Sequence, residues 1–135
     1  MANSISGDSI RVIHPLFQAE EGGSVPTSPL QLTISETSGK IAKKLNMLWH
    51  SRLPRFNSGA SLYYVAFYHG IYYAVAIWSN PVARLLPQDT WLELRRLAIA
   101  SDAPKYTASR MIAVMTRLIR HKMPQITTLI SYQDT

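Results

Sequence analysis

The sequence predicts a mixed α+β fold, in which the two strands of an antiparallel hairpin precede a β-α-β parallel unit. The hairpin is indicated by two runs rich in Tyr, Val, Phe, Ile and Trp, residues 61–68 and 71–78, which only His69 and Gly70 separate. The chain of 135 residues has 47% hydrophobic and 16% charged residues. This composition excludes a disordered chain and supplies the core of one domain.

The parallel unit is indicated by a helical period between two apolar runs. Residues 91–100 alternate as a strand, and a shift in the phase of that alternation predicts a one-residue bulge near Arg95 or Arg96. Residues 107–122 follow the 3.6-residue period of a helix, and residues 125–132 have the pattern of a final strand. A strand, a helix and a strand in this order form a parallel pair with a right-handed crossover.

Residues 30–135 are predicted to form the domain, and residues 1–29 a flexible or loosely packed arm rich in Ser, Gly and Pro. The domain begins with a short strand at residues 30–34. Thr37 or Ser38 is then placed to cap a helix. The apolar positions of that helix are Ile41, Leu45, Leu48 and Trp49.

The absence of cysteine excludes disulfide frameworks, thiol nucleophiles and thiolate zinc sites. No apolar run reaches the roughly 18 to 20 residues of a membrane-spanning helix, and no signal-peptide pattern is present, so we expect a cytoplasmic protein without a membrane partner. The net charge is +6, of which residues 1–36 carry −3 and residues 37–135 carry +9. A basic body of this kind attracts anions, including nucleic acid and phosphorylated cofactors.

Four short segments carry a family resemblance: WHSRLP after the first helix, NPVAR after the hairpin, LELRRLAI on the bulged strand and LISYQDT on the last strand. In this order they resemble the Mom branch of the GNAT acyltransferases, named for a phage protein that modifies DNA adenine. The order of elements also resembles the front two thirds of the GNAT fold, a mixed sheet with helices on both faces. The resemblance covers residues 30–135 and implies that the C-terminal strands of the family are absent.

The resemblance implies an acyltransferase that uses acetyl-CoA or another acyl-CoA. The pantetheine arm is expected to pair with the backbone of Leu97, Ala98 and Ile99, and the pyrophosphate to lie at the N-terminus of the following helix. The residues expected to bind the coenzyme at that helix are Lys105, Thr107, Ser109 and Arg110. The segment 102–110 lacks the glycines of the family at this turn, so the alternative is a helix capped by Thr107 with two surface cations.

Glu93, Asp134 and His50 match positions that the family places at its active site. Glu93 is the expected general base, because desolvation in a cleft raises the pKa of a carboxylate toward that of a useful proton acceptor. The alternatives are an ion pair of Glu93 with Arg95 or Arg96, a solvated position for Asp134 and a helix-dipole partner for His50. We predict no structural metal, with an open three-ligand site of His50, Glu93 and Asp134 as a further option.

The implied substrate is double-stranded DNA, from which an adenine is extruded while Arg52, Arg55 and Arg84 hold phosphates. The hairpin tyrosines are expected chiefly to pack the sheet, with stacking on the extruded base as the alternative; they are Tyr63, Tyr64, Tyr68, Tyr72 and Tyr73. Two other functions stay open: an N-acetyltransferase acting on a small-molecule or protein amine, and a non-catalytic nucleic-acid-binding or interaction protein of the same fold. The acyl group and the oligomeric state are not determined by the sequence.

Overall fold

The computed structural model describes residues 12–13, 25–49 and 62–132. The elements in these residues are β1 (Val12–Ile13), a 3₁₀ turn (Pro29–Gln31), β2 (Thr33–Glu36), α1 (Gly39–Trp49), β3 (Leu62–Tyr68), β4 (Ile71–Ser79), β5 (Trp91–Ile99), α2 (Thr107–Lys122) and β6 (Thr128–Ser131). They form one sheet of order β2-β3-β4-β5-β6, with β1 beside β4. All pairs are antiparallel except β5 and β6, which are parallel. The predicted α+β class is confirmed.

The hairpin between β3 and β4 turns at His69 and Gly70, as predicted. Both residues have positive φ angles, 50° and 78°, which a two-residue turn of type I′ requires. The register between the strands skips Tyr73, since Ala66 pairs with Ala74 and the next residue of β3 pairs with Tyr72. This bulge changes the phase of β4, so that Tyr73 and Ala74 belong to the same core cluster.

The two helices pack on opposite faces of the sheet, in agreement with the predicted architecture. The core on the α2 face includes Met111, Met115, Ile119, Leu92 and Leu94. The core on the α1 face includes Ala42, Leu45, Val65, Val75 and Ile77. Each large side chain buried in these cores contributes about 1.5–3 kcal/mol of transfer free energy to folding.

Helix α1 begins at the predicted cap, because the Oγ atom of Ser38 accepts a hydrogen bond from the amide of Ile41 at 3.2 Å. Its buried stripe differs from the predicted one. Asn46 is fully buried beside Leu45, whereas Leu48, expected on the apolar face, is 40% exposed. The buried stripe runs through positions 42, 45, 46 and 49, which lie on one face of the helix. Position 48 lies outside that face.

The strand expected at residues 30–34 lies further along the chain, at Thr33–Glu36. The preceding residues form the 3₁₀ turn because side chains accept hydrogen bonds from its first amides. The Oγ atom of Ser28 accepts from the amide of Leu30, and the Oε1 atom of Gln31 accepts from the amide of Ser28. Within the predicted arm, β1 pairs with the start of β4. In the described part of the chain, no helix is long and apolar enough to cross a membrane.

Candidate active site

Strand β5 carries a bulge at Arg95. Ile77 of β4 pairs with Arg96 and the next residue of β4 pairs with Leu94, so the register skips Arg95. This confirms the bulge that the phase shift in the sequence predicts. A bulge bends its strand and redirects the residues that follow it.

The pairing of β5 with β6 ends at Leu94, immediately before the bulge. Among the described residues, no strand pairs with the remainder of β5 on that side. Within the part of the chain that the structure describes, strand β5 therefore has one paired edge and, from the bulge onward, one open edge.

The backbone groups of Leu97 and Ile99 point to this open edge. The amide of Ala100 donates to the carbonyl of Tyr73 on β4 at 2.9 Å, and backbone groups alternate in direction along a strand. Leu97 and Ile99 therefore direct their N–H and C=O groups away from β4, while Ala98 directs its own toward β4. Two of the three residues expected to pair with a pantetheine arm have free backbone groups, and the third anchors the strand.

Tyr106 is the N-cap residue of helix α2. Its backbone is left-handed with φ 67°, and its side chain makes no capping hydrogen bond. The hydroxyl of Thr107 donates to the carbonyl of Pro104 at 2.6 Å, so the alternative in which Thr107 caps the helix is wrong. The amide of Thr107 donates to the carbonyl of Pro104 as well, at 3.3 Å, so the first-turn amides left to an anion among the described residues are those of Ala108 and Ser109. A left-handed residue followed by helical ones also forms a concave group of N–H donors, and Tyr106 adopts here a conformation typical of glycine.

Of the side chains expected to bind a coenzyme at this end of α2, Thr107 is buried, with its hydroxyl bonded to Pro104, and the others are at least partly exposed. Lys105 is exposed, with its Nζ atom 5.8 Å from the centre of the Tyr106 ring, and Ser109 is exposed as well. The Nε atom of Arg110 is buried and has no hydrogen-bond partner among the described residues. Free first-turn amides with an exposed lysine and serine beside them in the chain fit an anion such as a pyrophosphate.

Glu93 lies on the α1 face of β5, because its neighbours Leu92 and Leu94 both belong to the core on the α2 face. It is 7% exposed. Its Oε1 atom accepts a hydrogen bond from the amide of Val82 at 2.9 Å, and its Oε2 atom is 4.0 Å from the Nε atom of Arg95. The carboxylate is therefore desolvated, fixed in direction and beside the arginine that the ion-pair alternative requires.

Two arginines extend this charged cluster. The Nη1 atom of Arg95 donates to the Oγ atom of Ser79 at 3.3 Å, and the Nη1 atom of Arg96 donates to the carbonyl of Arg95 at 2.8 Å. Burial lowers the pKa of Arg96, and the charge of Arg95 lowers it further. One carboxylate and two guanidinium groups thus meet at the bulge, next to the open edge of β5.

Arg84, expected to hold a phosphate, is exposed in the loop between β4 and β5. Sequence reasoning missed the residue beside it, Leu85, which is 98% exposed. The available signal was an apolar pair in a segment that Pro81 and Pro87 mark as a loop. His50, Arg52, Arg55 and Asp134 lie outside the described residues. Within the described ranges, no group of three or more His, Asp and Glu side chains could hold a metal ion.

Most of the hairpin tyrosines pack the sheet, which was the main expectation for them. Tyr64, Tyr72 and Tyr73 are at most 2% exposed, so they reach no base without unpacking the core. Burial, and next the charge of Glu36, raise the pKa of Tyr64 to about 12. Tyr63 and Tyr68 are partly exposed.

A cavity of about 380 Å³ lies between α2 and β6. It includes Leu94 and Ser131, where the pairing of β5 with β6 ends, but none of the residues predicted for catalysis or coenzyme binding. The remaining lining residues are Trp78, Ile112, Thr116, Ile119, Arg120, Ile126, Thr127, Thr128, Leu129 and Ile130.

A bulged strand with one open edge, followed by a crossover helix with an uncapped N-terminus, belongs to a fold shared with solved acetyltransferases. A GNAT family acetyltransferase from Brucella melitensis in complex with acetyl-CoA matches with a TM-score of 0.58 at 11% identity, over 77% of each chain. A GNAT family acetyltransferase from Staphylococcus aureus matches with a TM-score of 0.55 at 11% identity, over 78% of this chain and 88% of that one. An aminoglycoside acetyltransferase from an uncultured soil metagenomic sample, in complex with sisomicin, matches with a TM-score of 0.57 at 10% identity, over 78% and 80%. The chain has the GNAT acetyltransferase fold.

Within this fold, the model of the Mom protein family matches residues 31–135. The chain belongs to the Mom protein family. The resemblance carried by the four sequence segments is thereby confirmed. No curated protein sequence matches the chain.

Proposed function

We propose that this protein transfers an acyl group from an acyl-CoA to the exocyclic amine of adenine in double-stranded DNA. The observation that carries the proposal is the open edge of β5 beside the uncapped N-terminus of α2. Membership of the Mom family and the GNAT fold support it. So does the neighbouring structure from Brucella melitensis, which is a complex with acetyl-CoA.

Coenzyme binding would use backbone more than side chains. Leu97 and Ile99 offer paired N–H and C=O groups to the amides of a pantetheine arm. The first-turn amides of α2, with Lys105, Ser109 and Arg110, offer donors and positive charge to the pyrophosphate. When bound, the coenzyme supplies an acyl group activated as a thioester.

Glu93 is proposed to accept the proton that the amine loses as the new C–N bond forms, while the C–S bond of the thioester would break and release the coenzyme as a thiolate. Its Oε1 atom is engaged by the amide of Val82, so Oε2 is the oxygen left to take the proton. The distance of 4.0 Å between this oxygen and the Nε atom of Arg95 leaves the contact weak. His50 and Asp134 remain proposed active-site residues on the strength of the family resemblance alone.

DNA binding is supported by the charge of the domain, which is +9 over residues 37–135. Arg84 is exposed on the loop that Glu93 holds, so a phosphate bound by Arg84 would lie near the proposed base. Arg52 and Arg55 are proposed to contribute further phosphate contacts.

A non-catalytic nucleic-acid-binding protein is the second candidate. Two observations favour it: the turn 102–110 has no glycine, and the carboxylate of Glu93 already has an amide donor and a nearby arginine. This candidate shares the basic surface with the first and differs from it in not binding a coenzyme.

Thermal unfolding in the presence of acetyl-CoA separates the two candidates. A ligand that binds only the native state stabilises it by about 2.7 kcal/mol at a concentration of 100 times Kd, so we expect a clear rise in Tm. Arg110→Ala should reduce the rise. Arg117→Ala is the matched control, because Arg117 is an exposed arginine of α2 outside its first turns. The absence of any rise at millimolar acetyl-CoA would contradict the enzyme and leave the binding protein.

A further inference from the structure

The loop between β4 and β5 presents an apolar side chain to solvent. Leu85 is 98% exposed, and Val82 in the same loop is 60% exposed. A leucine exposed to this degree buries almost no apolar surface when the chain folds, so it contributes little to the stability of the fold. A single exposed leucine is ordinary on a protein surface, but two exposed apolar side chains in one short loop are together available to a partner.

The loop is held in shape by a set of hydrogen bonds. The Nε2 atom of Gln88 donates to the carbonyls of Ala83 and Leu86, at 3.2 and 3.1 Å, and the Nδ2 atom of Asn80 donates to the carbonyl of Gln88 at 3.1 Å. The amide of Leu86 also donates to the carbonyl of Ala83. Leu85 therefore stands on a fixed turn, so presenting it costs little conformational entropy on binding.

The loop is also tied to the candidate active site. The amide of Val82 donates to the Oε1 atom of Glu93, so the base of the loop and the proposed catalytic carboxylate are in direct contact. Arg84 precedes Leu85 and is exposed as well. The loop thus combines an apolar tip, an adjacent cation and a rigid link to the site, which suits a polyanion with an apolar interior: the base stack of DNA.

We propose that Leu85 is a wedge that enters the base stack and fills the gap left by the extruded adenine, while Arg84 contacts the adjacent phosphate. The inference rests on the proposed function, since it presupposes a DNA substrate. A base that is extruded loses its stacking energy, and apolar wedges in other DNA-binding proteins offset that loss by occupying the opened step. The wedge would therefore be a positioning residue, which holds the duplex open without touching the reacting atoms.

The test compares an intact short duplex with the same duplex carrying one abasic site, which offers the gap without the cost of unstacking. Wild-type protein should bind the abasic duplex about tenfold more tightly. Leu85→Ala should bind the two duplexes within about twofold of each other, because without the wedge it neither holds the base step open in the intact duplex nor fills the gap in the abasic one. Leu30→Ala is the matched control, since Leu30 is another leucine that is 73% exposed, and it should retain the preference. Leu85→Met, an apolar side chain of similar volume, should restore it.

The outcomes distinguish the proposed wedge from the proposed function on which it rests. If Leu85→Ala keeps the abasic preference while the wild type binds DNA, the wedge is wrong and the proposed function stands. If the wild type binds no duplex at low salt, both fail. If Leu85→Ala instead loses binding to vesicles of anionic phospholipid while its DNA binding is unchanged, the exposed leucine serves a membrane surface and the wedge is overturned.

Discussion

Glu93 joins an observed task and a proposed one in a single carboxylate. Its Oε1 atom fixes the loop through the amide of Val82, and its Oε2 atom faces Arg95 at 4.0 Å. A buried carboxylate with a hydrogen-bonded oxygen holds its direction, which a general base needs, and it also stabilises the loop. The two tasks respond differently to substitution, so they can be separated.

Glu93→Gln should preserve the loop and abolish transfer. The amide oxygen of glutamine can still accept from Val82, so the free energy of unfolding should fall by about 1 kcal/mol or less. Turnover should fall about a hundred- to ten-thousandfold, because the amide cannot take the proton. Urea midpoints and acyl transfer to duplex DNA, measured on the same preparation, check both parts.

Glu93→Ala is the control for the loop. It leaves the amide of Val82 without its acceptor and should cost about 1–3 kcal/mol of stability. If Glu93→Gln is destabilised to the same extent while its folded fraction turns over normally, Glu93 is structural and the base lies elsewhere.

At the scale of elements, the candidate site depends on where the pairing of β5 with β6 ends and on how α2 begins. Among the described residues, β6 pairs with β5 as far as Leu94, and α2 begins without a side-chain cap. The contrast with α1 is informative, because α1 has a serine cap at Ser38 and α2 has Tyr106 in a left-handed conformation. A side-chain cap stabilises the end of a helix. An uncapped end lowers the stability of the helix but leaves backbone donors available to a ligand.

Ser38→Ala should therefore destabilise the domain. The amide of Ile41 loses its acceptor, and loss of such a cap typically costs about 0.5–2 kcal/mol. The urea midpoint measures the change. Ser38→Asp is the matched control, because it restores an acceptor and adds a negative charge at the positive end of the helix. A midpoint equally lowered in both variants would show that the cap is not the cause.

For the molecule as a whole, the distribution of charge determines what it attracts. The net charge is +6, with the positive excess entirely in residues 37–135. Binding of such a protein to duplex DNA releases counterions, so the affinity falls as a power of the salt concentration.

Arg84→Ala should flatten that dependence. Removing one phosphate contact lowers the slope of log K against log salt by roughly one. Affinities measured by fluorescence anisotropy across a salt series give the slope. Arg117→Ala should leave it unchanged, since α2 covers the face of the sheet opposite to Glu93. Equal slopes for the wild type and Arg84→Ala would show that Arg84 makes no phosphate contact.

Features that depend on neighbouring residues were determined by the sequence alone. The hairpin turn at His69 and Gly70 follows from two apolar runs and a two-residue gap, and the bulge at Arg95 from a broken alternation. Helix α2 has the predicted bounds because its period and its breaker, Pro124, are local. The family resemblance, which rests on short segments of sequence, added Leu97 and Ile99 to the candidate site.

Other features were decided only by the tertiary structure, because they depend on what lies opposite. The burial of Asn46 and the exposure of Leu48 follow from which face of α1 packs against the sheet. Leu97 and Ile99 have no backbone partner among the described residues because the pairing with β6 stops at Leu94, and no pattern within β5 contains that information. The bond between Val82 and Glu93 joins residues eleven positions apart, and it becomes possible only when the loop folds back over β5.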